Sequence, residues 1–106
     1  MKKALIKIHN QTAGILYEYA QNHYVYEYID DYIGQPISLT MPVIIKTHKF
    51  VCFPPFFDGL LPEGIQLEAI LKRHKIDKQD LFEQLLITGS DLVGAVTVES
   101  IGNNSE

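Results

Sequence analysis

Four histidines (His9, His23, His48 and His74), one cysteine (Cys52), two carboxylates flanking a leucine-rich turn (Asp58 and Glu63) and a serine behind a glycine (Ser90) are the side chains with chemical potential in this sequence. Between them they could hold a metal, move a proton or attack a carbonyl. Their spacing argues against each. The histidines are scattered, without the close helical or strand repeat that brings ligands onto one metal ion. A lone cysteine can form neither an internal disulfide nor a thiolate-clustered zinc site, and it is expected to be a small buried hydrophobe in a reducing compartment. Asp58 and Glu63 would serve as an acid/base pair only in a pocket that shifted one of them. Their simpler role is to cap the turn and complement a helix dipole. Ser90, in TGSDLVG, lacks the flanking glycines of a nucleophile elbow. No phosphate-cradling glycine motif is present. The sequence therefore assigns no catalytic residue, no metal and no cofactor.

Two further features invite a binding role. Five tyrosines alternate along residues 17 to 28 and could stack nucleic-acid bases, but no Lys or Arg is interleaved among them, so a cross-strand aromatic cluster is the expected outcome. The net charge of −4 likewise opposes a phosphate-tracking surface. The second feature is FFDGLLPEG, residues 56–64, where aromatic and leucine side chains surround an acidic turn. Phe56, Leu60 and Leu61 suit a junction between sheet and helix. A part left outside would be an apolar patch of the kind that marks a partner site.

The elements that must position this turn follow from pattern. At 106 residues, with 46% hydrophobic and 21% charged side chains, the chain suits one domain that buries roughly 60–70% of its unfolded surface. We expect a single domain over 1–100 with a flexible tail at 101–106. MKKALIKIHNQ interrupts its apolar residues with Lys7 and His9, unlike a signal peptide, and no apolar run approaches about 20 residues, so a cytoplasmic location is expected. ALIKIH, GILYEYA and HYVYEYI alternate as three strands of an antiparallel meander, with turns at Asn10–Gln11 and Gln21–Asn22. Tyr24, Tyr26 and Tyr28 share a face. From Tyr32 to Pro62 the prolines leave short extended pieces, with KTHK (46–49) as an exposed turn.

Pro62 suits the first position of a helix over about 62–74, with Leu67, Ile70, Leu71 and His74 on one stripe and Ile65 off it, on the polar side. Asp77 reads as the N-cap of a second helix over about 78–88, with Leu81, Phe82, Leu85 and Leu86 inward and Gly89 as its stop. VGAVTVES reads as a last strand, with a bend or a close backbone approach at Gly94. The fold class is thus α+β: a mainly antiparallel sheet with two helices.

QPISLTMP, FFDGLLPEG and FEQLLITGSDLVGAVTV, in this order and spacing, resemble the N-terminal subdomain of bacterial HipA-type serine/threonine kinase toxins over about residues 1–100. The kinase's catalytic and nucleotide-binding residues have no counterpart here, so no enzymatic activity is carried over. As a free-standing copy the sequence resembles the HipS-type antitoxins of HipBST toxin–antitoxin modules. That resemblance implies binding and neutralisation of a HipT-like kinase, with a HipB-like helix-turn-helix protein supplying DNA binding to a ternary complex, and no direct contact with nucleic acid or membrane. The partner interface is expected at Phe57, Leu61, Pro62, Glu63, Gly64 and Ile65, with Ile65 foremost because it breaks the helix pattern. Alternatives are an activating subunit that completes a split kinase, and a small enzyme with an unrecognised site.

Overall fold

A computed structural model describes residues 1–92 and 94–101. Three strands come first, β1 (Lys2–Ile8), β2 (Gln11–Ala20) and β3 (His23–Tyr28). They are joined by two-residue turns, His9–Asn10 and Gln21–Asn22. His9 and Asn10 both take left-handed backbone angles (φ 50° and 66°), which matches the right-handed twist of a tight hairpin. The first turn therefore sits one residue earlier than expected, and Gln11 opens β2.

The sheet has five antiparallel strands in the order β4-β3-β2-β1-β5, with β4 at Thr47–Phe50 and β5 at Val96–Ser100. β5 lies along β1, opposite Ile6 and Ile8, so the beginning and end of the described chain share the sheet. Most of KTHK thus lies in an edge strand, Thr47–Phe50, rather than a turn, because pairing with Tyr24–Glu27 supplies the hydrogen bonds that local propensity does not.

The chain also contains α1 (Pro55–Asp58), α2 (Gly64–His74) and α3 (Leu81–Thr88), followed by a 3-10 turn at Gly89–Asp91. α1 is absent from the sequence expectation; its two prolines occupy the N-cap and first position, where a missing N–H costs nothing. α3 begins three residues later than expected. Asp80, not Asp77, caps it by accepting the Glu83 N–H, while the Asp77 carboxylate accepts from Gln79 N–H in the preceding turn.

Alternation places Ala4, Ile6, Leu16, Tyr26, Tyr28 and Val98 on the covered face of the sheet, against Phe57, Phe82 and Leu85 of α1 and α3. Tyr28 ties in the irregular segment 33–46: its hydroxyl accepts the Ile37 N–H and donates to the Met41 carbonyl. Two glycines sit where no side chain fits. A Cβ on Gly14 would collide with the Glu27 carbonyl and the Tyr26 hydroxyl, and one on Gly89 would collide with the Val98 carbonyl. Gly94 has φ +103°, in keeping with the bend expected ahead of β5. Val93 and the tail residues 102–106 lie outside the described residues.

α2 departs most from expectation. None of its residues is fully buried; Leu67, Ile70 and Leu71 are half-buried and His74 is exposed, so the stripe does not reach the core. An open groove of about 850 Å³, lined by Leu60, Pro62, Gln66, Ile70 and Leu92 among others, runs beneath the helix.

Candidate functional site

The segment FFDGLLPEG divides into an anchor and a tip. Pro54 and Pro55 start α1, and one helical turn carries Phe57 inward, where its ring lies 6.0 Å from that of Tyr26 and 5.2 Å from that of Phe56. The N–H groups of Leu60 and Leu61 then bond to the Phe57 and Asp58 carbonyls, folding the chain back so that Leu61 also enters the core. Phe57 is 0% exposed and Leu61 8%, so both belong to the core. In this chain they hold the turn from inside. Phe56 and Leu60 pack against the core from its rim, as the junction role requires.

Beyond Leu61 the chain emerges. Pro62 is half-exposed, and Glu63, Gly64 and Ile65 are exposed. Glu63 is extended and serves as N-cap of α2: its carbonyl accepts the Leu67 N–H, while its carboxylate makes no capping hydrogen bond and acts on the helix through its charge. Gly64 turns the chain at φ +61°, a conformation that other residues adopt only under strain, and the space beside it is open. Ile65 follows at 85% exposure. The result is an apolar side chain presented at the start of a helix that stands off the core.

The other chemically able residues do not converge. His9 is in the first turn, the His23 ring stacks on Tyr19 at 4.8 Å, the His48 ring nitrogen meets the Pro42 carbonyl at 3.2 Å, and His74 is exposed on α2. Among the described residues no group of three or more His, Cys, Asp or Glu could hold a metal ion. Asp58 and Glu63 are both at the surface. Cys52 is exposed rather than buried, because it falls in the loop that leaves β4 before the chain turns into the core at Phe53. The tyrosine array is split by the sheet: Tyr24, Tyr26 and Tyr28 are in the core, while Tyr17 and Tyr19 stack on the opposite face. Burial pushes the phenols of Tyr24, Tyr26, Tyr28 and Tyr32 above their ordinary range. No helix among the described residues is long and apolar enough to cross a membrane.

The family model for the HipA N-terminal domain matches residues 4–99. The chain belongs to the HipA N-terminal domain family. A solved structure described as the N-terminal domain of HipA toxin shares its fold, with a TM-score of 0.77 over 98% of this chain and 96% of that one at 24% identity. An uncharacterized protein of Haemophilus influenzae is 27% identical over 99 residues, spanning 93% of this chain and 92% of the relative. The family match lies in this N-terminal domain and not in the catalytic part of HipA.

Sequence reasoning missed a second group of exposed apolar residues: Ile33, Leu39, Ile44 and Val51, each at least 83% exposed. For Leu39 and Ile44 the sequence offers a faint signal in LTMPVIIK, where apolar residues crowd around Pro42, but without periodicity nothing there separates inside from outside.

Proposed function

We propose that this HipA N-terminal domain is a HipS-type antitoxin that binds and neutralises a separately encoded HipA/HipT-like serine/threonine kinase toxin through protein–protein contact. The observation that carries the reading is the tip where FFDGLLPEG runs on into Ile65: Pro62, Glu63, Gly64 and Ile65 stand outside the core, with the apolar Ile65 at 85% exposure. An apolar anchor ringed by polar residues is the usual energetic centre of a protein interface. The family match and the scattered placement of ionisable groups support a binding module over an enzyme. A HipB-like helix-turn-helix protein completes the proposed complex and supplies its DNA contacts, in keeping with the net charge of −4 on this chain.

The test is phosphate transfer by the HipT-like kinase in the presence of this domain, wild type against Ile65→Asp. Wild type is expected to suppress transfer and the variant to release it. Transfer that rises on adding wild type would identify an activating subunit and overturn the antitoxin reading.

A further inference from the structure

We propose that edge strand β4 and the apolar corner beside it form a second docking surface, one that accepts an extended partner segment alternating acidic with apolar residues. This surface is separate from the Pro62–Ile65 tip, and its test needs no kinase.

β4 ends the sheet order, so among the described residues one of its sides has no neighbouring strand. Its register, together with the bond from Tyr28 N–H to the Lys46 carbonyl, directs the main-chain groups of Lys46, His48 and Phe50 toward β3. The alternation of an antiparallel ladder then turns those of Thr47 and Lys49 outward, where an added strand would bond to them. Where β4 ends, an open depression of about 500 Å³ is lined by Met41, Phe50, Val51, Cys52, Pro55 and Phe56, room for an apolar side chain of that strand. Val51 at its rim is 83% exposed, and Leu39, two residues before Met41, is 97% exposed.

Charge selects the occupant. β4 and its flank carry Lys46, whose ammonium donates to the Ile29 and Asp30 carbonyls, His48, whose ring nitrogen meets the Pro42 carbonyl, and Lys49, which has no carboxylate within ion-pair distance among the described residues, in a chain of net charge −4. Lysines on an edge repel a second copy of the same edge, which is how open edges are kept from self-pairing. The same lysines attract a strand bearing carboxylates. A short basic edge bordered by an apolar depression thus discriminates against itself and in favour of an acidic, apolar segment.

The experiment is titration of the ¹⁵N-labelled protein with a capped hexapeptide alternating glutamate with valine or leucine, beside a control peptide carrying lysine for glutamate. The acidic peptide is expected to shift the amides of Thr47, Lys49 and Val51, to slow exchange at Thr47 and Lys49, and to bind Lys49→Glu roughly three- to tenfold more weakly. Val51→Asp, at an exposed position, is expected to weaken it similarly without unfolding the domain. Equal binding of the lysine peptide, indifference to Lys49→Glu, perturbation confined to β5 or residues 62–65, or self-association through β4 in place of peptide binding would each overturn the proposal.

Discussion

Truncating Phe57 and Ile65 to alanine, two positions on one short apolar segment, should have opposite consequences. Phe57 is fully buried, with its ring packed between those of Tyr26 and Phe56. Its removal forfeits the burial of an aromatic ring and leaves a cavity beneath the sheet, at a cost of about 3–5 kcal/mol. A domain of this size holds a net stability of about 5–15 kcal/mol, so Phe57→Ala should lower Tm by more than about 10 °C or prevent folding. Ile65 is 85% exposed, and Ile65→Ala should leave stability within about 0.5 kcal/mol of wild type. A partner that covered Ile65 would lose about 1–2 kcal/mol of apolar burial, a weakening of roughly 5- to 30-fold. Urea unfolding followed by circular dichroism gives the first pair of numbers, and titration against the kinase gives the last. A Phe57→Ala loss below about 1 kcal/mol, or an Ile65→Ala loss above it, would refute the division of this segment into anchor and tip.

Among the described residues the buried Tyr26 hydroxyl has no hydrogen-bond partner, so Tyr26→Phe should raise stability by about 1 kcal/mol, read as a higher urea midpoint at unchanged slope. Gly14→Ala should lower it by about 1–3 kcal/mol, and only part of that loss should return in the double variant with Tyr26→Phe, because the Glu27 carbonyl still blocks the new methyl. Lys75 closes α2 in the left-handed region at φ 55°, so Lys75→Gly should add up to about 1 kcal/mol in the same assay. Burial raises the phenol pKa of Tyr24, Tyr26, Tyr28 and Tyr32 in the folded chain above the unfolded value of about 10. Above that pH the unfolded chain releases protons the folded chain keeps. Their contribution to stability is therefore complete below pH 10 and falls as pH rises past it; urea midpoints from pH 8 to 11.5 should decline over the upper part of that range, with phenolate absorbance appearing as the protein unfolds.

Membership of the HipA N-terminal domain family was legible because its three motifs occur in order, and the meander was legible because the period-2 pattern of residues 4–28 is strong and local. Alternation alone places Tyr24, Tyr26 and Tyr28 on one face, and the 3.6-residue pattern of α3 places Phe82 and Leu85 inward; the structure buries all five. Ile65 was singled out by the same periodicity, as the apolar residue off the stripe of its helix. The remainder depended on contacts distant in sequence. KTHK reads as a turn, and most of it joins β4 because β3 offers an unsatisfied ladder. Cys52 has the composition of a core residue and is exposed because the loop that carries it stands clear of the sheet.

Sequence by itself determined the family, the α+β class, three adjacent strands and the faces of those strands, all of which follow from side-chain order within short windows. Only the tertiary structure decided that Phe57 and Leu61 turn inward while Pro62 to Ile65 turn out, that α2 stands off the core, and that Met41, Phe50, Val51 and Phe56 line one depression where β4 ends. A turn's two sides become inside and outside only when a sheet and helix close over one of them, and that closure is set by packing across the whole domain.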